Sequence, residues 1–225
     1  MLIAALALLQ QFPENSSLDL LGHTRFSANE IQLNATSVVL QAKTGEVAME
    51  ELHLVRPNPG AKTMTFSVPR LRMGDDKSGQ PSFVVKATFN GQPVNLTAGG
   101  RNREGSGKQV LYTNLLTGTA PLRKGAEQRL VITTTLKFGR CGYEQKQGIV
   151  AFAIDHPGTV INKFQMAFKY PAGTTLGNPG LLPAEGGWQT SQTGCFVRTE
   201  SVSKDETLLY GLTWYAGDFR PIGLN

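Results

Sequence analysis

Residues 82–94 read Ser-Phe-Val-Val-Lys-Ala-Thr-Phe-Asn-Gly-Gln-Pro-Val. Phe83, Val85, Ala87 and Phe89 fall on one side of an extended chain, and Ser82, Lys86 and Thr88 on the other. Successive side chains of a strand point to opposite faces, so this period of two predicts a strand with one packed and one wetted face. Asn90-Gly91 follows between two strand-like runs. That dipeptide accepts the positive φ angles of a tight hairpin turn.

The same alternation recurs outward from this hairpin. Met64, Phe66 and Val68 alternate with Thr63, Thr65 and Ser67. Leu130, Ile132, Leu136 and Phe138 alternate with Thr133, Thr135 and Lys137. Phe164, Met166, Phe168 and Tyr170 alternate with Lys163, Gln165 and Lys169. Weaker strand patterns cover residues 36–43, 47–55, 110–116, 148–154, 196–202 and 207–214. No long apolar run at helical spacing follows residue 9. The expected fold is all-β, an antiparallel β-sandwich.

The segment from Ala98 to Lys108, AGGRNREGSGK, is glycine-rich, polar and free of apolar anchors. It reads either as a linker or as a long hairpin loop within one sandwich. The first reading predicts two sandwich-like domains, residues 12–100 and 101–225, both of plausible size. Residues 1–11 form the expected signal segment. Its core, MLIAALALL at residues 1–9, is apolar, too short to cross a bilayer, and followed by the polar QQFPENSS. Export to the periplasm, the cell envelope or the medium is therefore expected, with no transmembrane span in the mature chain. Cys141 and Cys195 are the two cysteines. In an exported chain such a pair is most simply a disulfide.

The net charge of +5 is uneven. From Arg56 to Arg140 there are 14 Lys and Arg against 4 Asp and Glu. A segment this basic suits an anionic envelope polymer, through Arg70, Arg72, Arg101, Arg103, Arg123 and Lys124, if they share one face. Aromatic residues do not interleave with these cations, so no nucleic acid is expected as partner. Trp188, in Glu185-Gly186-Gly187-Trp188, has the setting of an exposed loop and is a candidate binding aromatic.

The chemistry-bearing residues form no constellation. His23, His53 and His156 lack metal-ligand spacing with each other or with cysteine, so no metal and no cofactor is expected. Glu50 and Glu51 are neighbours on a strand and face opposite ways, which denies them a joint acid–base role. Residues 74–79, Gly-Asp-Asp-Lys-Ser-Gly, lack the carboxylate that completes a helix–loop–helix calcium site. Asp155-His156-Pro157-Gly158 reads as a turn. The chain is expected to be no enzyme.

Phe66-Ser67-Val68-Pro69, then Phe83-Val84-Val85-Lys86 and Asn90-Gly91-Gln92-Pro93-Val94, resemble a pattern of bacterial exported β-domain proteins of unknown function. The layout is also similar, loosely, to the β-domain of vault and inter-alpha-trypsin proteins. The resemblance covers about half of the chain and implies fold and export. It carries no functional residue across. The functional expectation is a non-catalytic binding or scaffolding protein of the bacterial cell envelope. The alternatives are a carbohydrate-active hydrolase on a β-sandwich and a binder of anionic polymer.

Overall fold

The computed structural model describes residues 18–27, 29–43, 46–73, 82–106, 109–137, 147–170, 174–176, 180–184, 186–191, 194–215 and 219–221. The leader-like residues, the Gly74–Gly79 loop and Cys141 lie outside them. Cys195 is buried, and its expected bridge to Cys141 therefore also falls outside the described residues.

Among the described residues the secondary structure is strand throughout. The N-terminal strands are β1 (Leu18–Gly22), β2 (Arg25–Phe26), β3 (Ile31–Lys43), β4 (Glu46–Pro57), β5 (Thr63–Met73) and β6 (Ser82–Phe89). The middle holds β7 (Gln92–Val94), β8 (Leu96–Ser106), β9 (Gln109–Pro121), β10 (Gln128–Lys137), β11 (Gln147–Asp155) and β12 (Ile161–Lys169). The C-terminal strands are β13 (Thr174–Leu176), β14 (Gly180–Leu182), β15 (Gln189–Ser191), β16 (Cys195–Val202), β17 (Thr207–Tyr215) and β18 (Phe219–Pro221).

Two sheets pack as a sandwich. One runs β14-β17-β11-β1-β5-β9-β8, with β2 beside β5. The other runs β15-β16-β12-β3-β4-β10-β6-β7. The inward residues are those that alternation singled out: Met64, Phe66 and Val68 on β5, Leu130, Ile132 and Leu136 on β10, Phe164, Met166 and Phe168 on β12. The hairpin stands where residues 90–91 place it. Asn90 has φ 50° and Gly91 φ 80°, which turns β6 into β7.

The sheets are mostly antiparallel, as expected, with one parallel pairing in each. β1 pairs β11 in parallel, with Leu21 opposite Phe152, and β12 pairs β3 in parallel, with Ile161 opposite Leu33. These strands are far apart in sequence. No hairpin forces them antiparallel. The later strands thus join both sheets alongside the earlier ones.

Residues 98–106 of the glycine-rich segment, read as a linker or a hairpin loop, are strand, so residues 100 and 101 both lie within β8. β8 pairs β9, with Arg101 opposite Asn114. It is an edge strand, and residues 97–100 are exposed. An edge strand facing water has no apolar face to reveal it in sequence.

One irregularity shapes the second sheet. β3 carries an extra residue between Leu33 and Ala35 relative to β4, and β12 carries one between Ile161 and Phe164 relative to β16. The two strands are neighbours, and the bulges lie at the same level. A bulge reverses which residues face inward. On β3 the buried residues are Ile31 and Leu33 before it, and Thr36, Val38 and Leu40 after it.

Candidate functional site

β4 turns Val47, Met49, Glu51, His53 and Val55 toward the core. Glu50 is exposed while Glu51 is buried, as strand alternation requires. The inward face thus carries a carboxylate and an imidazole two residues apart, in a row otherwise apolar.

The opposite sheet supplies a third group. Between β1 and β2 the chain crosses the interior, and His23 and Thr24 are buried there. The His23 amide donates to the Ala153 carbonyl of β11 at 2.8 Å, which ties this crossing to the sheet. The His23 and His53 rings stand edge to face with centroids 5.3 Å apart. The ligand atoms of His23, Glu51 and His53 all lie within 4.8 Å of one another. His23 is 2% exposed, and Glu51 and His53 are 0% exposed.

Neighbours orient two of the three. Glu51 Oε2 accepts from the Thr24 amide at 3.0 Å, and Oε1 from the Thr24 hydroxyl at 3.2 Å. His53 Nδ1 contacts Thr36 Oγ1 at 3.0 Å, across the β3–β4 ladder. The β3 bulge is what turns Thr36 inward to make that contact. His53 Nε2 faces Glu51 Oε2 at 3.3 Å, long and poorly aligned for a hydrogen bond. Neither His23 ring nitrogen has a well-aligned hydrogen-bond partner. Phe26, Phe152 and Phe164 surround His23, with centroids 6.4, 6.3 and 6.3 Å from its own.

The electrostatics follow from this enclosure. Burial pulls the His23 imidazolium down to about 3, against the smaller opposing pull of Glu51. Burial works to raise the Glu51 carboxyl. The close His53 ring and the Thr24 amide outweigh it and hold the carboxyl below its usual value. At neutral pH a neutral His23 therefore faces an ionised Glu51 inside an aromatic shell.

A second polar group bridges the sheets nearby. Tyr210 of β17 donates its hydroxyl to Glu200 Oε1 of β16 at 2.7 Å. Arg198 grips the same carboxylate through Nε at 2.8 Å and a second nitrogen at 3.1 Å. Burial, then the Glu200 contact, pushes the Tyr210 phenol far up. Burial works to raise Glu200, but the Arg198 and Tyr210 hydrogen bonds hold it below its ordinary value.

The outer face of the second sheet has an open depression of about 180 Å³ at the twin bulges. Leu52 and Leu54 line it with Ala35, Thr36, Ser37, Lys163 and Gln165. It lies across the sheet from the buried imidazole of His53.

Of the residues singled out from sequence, backbone register groups Arg70, Arg72, Arg101 and Arg103 on β5 and β8, while Trp188, Arg123 and Lys124 lie elsewhere. Trp188 is half-buried, which corrects its expected exposure. Its ring lies 5.3 Å from Phe168 and 6.3 Å from Tyr210, and its indole N–H donates to the Pro183 carbonyl at 3.1 Å. The indole has too much apolar area to leave beside an open core edge. By backbone register Arg70 and Arg101 both face Asn114, and Arg72 and Arg103 both face Tyr112. The side chains of Arg72, Arg101 and Arg103 lie outside the described set. The Arg70 guanidinium stands 5.2 Å from the Phe83 ring centroid. Arg123 and Lys124 are exposed in the turn beyond Pro121, at the opposite end of β9. Asp155 ends β11 and the chain bends after it, with His156 at φ 48° and Gly158 at φ 81°. Asp155 is ion-paired with Arg25. Sequence reasoning missed the His23–Glu51–His53 group. Its only local signal was two polar residues interrupting the inward apolar row of β4.

No family model matches the chain, and no curated protein matches its sequence. In three dimensions it is similar to the crystal structure of a candidate nutrient-binding protein from Legionella pneumophila. The TM-score is 0.57 at 12% identity, over 88% of this chain and 72% of that one. It is also similar, at TM-score 0.41 and 8% identity, to native leukotriene A4 hydrolase from Saccharomyces cerevisiae. That match covers 93% of this chain and 33% of the hydrolase, so this chain spans about a third of that enzyme's length. The likeness to the Legionella protein shows a shared β-sandwich architecture.

Proposed function

We propose that the chain is an exported, non-catalytic binding protein of the bacterial cell envelope, and that its small polar ligand sits in the depression at the twin bulges. The observation that carries this reading is the depression itself. It is open to solvent and combines an apolar wall, Leu52 and Leu54, with a cation, a hydroxyl and an amide, Lys163, Ser37 and Gln165. Apolar lining with a few convergent polar groups is the usual make-up of a small-ligand site. Bulges also disrupt the ladder locally and are common beside binding sites. Lys163 favours a ligand bearing a carboxylate or another anionic group.

Two further points support the reading. The described carboxylate–imidazole cluster is sealed in the core, out of reach of a substrate. The Legionella neighbour of similar fold is described as nutrient-binding, and we extend that role to this chain as part of the proposal. Export rests on the apolar run at residues 1–9.

The test is a nuclear magnetic resonance titration of the full chain with small carboxylates, amino acids and sugars. Shift changes are expected at residues 35–37, 52–54 and 163–165. Lys163→Ala is expected to weaken binding of the anionic members about tenfold, the loss of roughly one charge-assisted hydrogen bond. If no member of the panel moves those signals, the depression is not a ligand site. Retention of a reporter fused after residue 11 in the cytoplasm would remove export.

A further inference from the structure

We propose that His23, Glu51 and His53 form a buried site for one divalent transition-metal ion of the zinc class. This goes beyond the binding role above and uses different residues.

The donor set comes first. Two imidazoles and one carboxylate suit zinc and its neighbours, cobalt, nickel and iron. Calcium and magnesium demand shells rich in oxygen, which these residues do not supply. Geometry agrees. Two donors held about 2.0–2.1 Å from a tetrahedral ion stand about 3.3 Å apart. His53 Nε2 and Glu51 Oε2 are separated by 3.3 Å. That spacing is poor for a hydrogen bond between them and right for two ligands converging on one centre. The widest donor separation, within 4.8 Å, closes to the tetrahedral spacing by donor shifts of about 1 Å.

An independent observation points to a missing partner. His23 is buried, its ring lies against His53, and neither of its nitrogens is well bonded among the described residues. Buried polar atoms in native proteins are nearly always partnered, by protein, water or ion. A metal ion at the centre of the three groups gives His23 that partner.

The support around the ligands also fits. Ligating histidines usually have the far ring nitrogen bonded, which fixes the tautomer. His53 Nδ1 contacts Thr36 Oγ1 at 3.0 Å, so Nε2 is left to face the cluster. Both Glu51 oxygens are held by Thr24. A divalent ion also neutralises an anionic carboxylate that burial otherwise disfavours. One water or the second Glu51 oxygen completes four-coordination. The site is closed, so the ion enters as the chain folds.

The test uses the full chain, unfolded with chelator and refolded with Co²⁺ or with Zn²⁺. The expected result is one equivalent retained after dialysis, and for cobalt the intense visible bands of a four-coordinate ion. His23→Gln and His53→Gln are each expected to lower metal retention at least tenfold, and His156→Ala, in an exposed turn, to leave it unchanged. X-ray absorption of the zinc-loaded wild type needs no variant and is expected to show two imidazoles with no sulfur. A natively folded chain that retains no metal would overturn the proposal. So would sulfur or all-oxygen ligation, or equal retention by the folded His23→Gln and His53→Gln variants.

Discussion

His53 Nε2 and Glu51 Oε2 face each other at 3.3 Å, two residues apart on β4, with both side chains wholly buried. Removing the Glu51 carboxylate leaves the buried Thr24 amide and hydroxyl without their acceptor. Glu51→Ala is therefore expected to lower stability by about 3 kcal/mol, the scale of two buried donors left unsatisfied. Urea unfolding followed by circular dichroism measures it. A loss of under about 1 kcal/mol, the scale of an exposed pair, would show that the carboxylate does not anchor the core.

Thr36 holds the far side of the His53 ring. Thr36→Val keeps the shape and removes the hydroxyl, so a buried ring nitrogen loses its partner. The expected loss is about 1–3 kcal/mol. Thr36→Ser restores the hydroxyl and is expected to recover most of it. A stable Thr36→Val with the loss confined to Thr36→Ser would assign the effect to packing of the methyl group instead.

Gly158 closes the turn after β11 at φ 81°, a conformation that side chains rarely adopt. A Cβ there would also stand 2.4 Å from the Phe26 carbonyl oxygen. Phe26 packs against His53 with centroids 5.0 Å apart, so the clash reaches the buried cluster. Gly158→Ala is expected to lower the unfolding free energy by more than the about 1 kcal/mol of backbone strain alone. Broadening of His53 ring signals is expected with it. A neutral substitution would mean that the turn rearranges freely.

The Arg198–Glu200–Tyr210 bridge sets a pH dependence at both ends. Glu200 is held below its ordinary value near 4.5, so its contribution is present above that pH and is lost as the pH falls through the lowered value. Tyr210 is raised above its ordinary value near 10, so its contribution is complete below that pH and declines as the pH rises past it. Comparison of wild type with Tyr210→Phe isolates the alkaline limb. The stability difference is expected to be flat near neutrality and to shrink above about pH 10. A difference that stays constant through that range would exclude a tyrosine–carboxylate link.

Much of the fold is legible because the side-chain period is local. Phe83, Val85, Ala87 and Phe89 declare their strand without reference to any other residue. Asn90-Gly91 declares its turn for the same reason, and the opposed directions of Glu50 and Glu51 follow from alternation alone. β8 escaped notice because an edge strand in water has no apolar face to announce it. Trp188 was misread because two glycines before it describe a local setting, while Phe168 and Tyr210, which cover its ring, come from other strands.

What the sequence by itself determined was which residues are strand and which way each side chain turns relative to its neighbours, since both depend on chain geometry over a few residues. Tertiary structure alone decided that two parallel pairings carry later strands into both sheets. It also decided that a histidine from the β1–β2 crossing lies against a glutamate and a histidine of β4. Contacts across a sandwich depend on strand order, register and bulges. Those are settled by the packing of the whole interior, which no short stretch of sequence encodes.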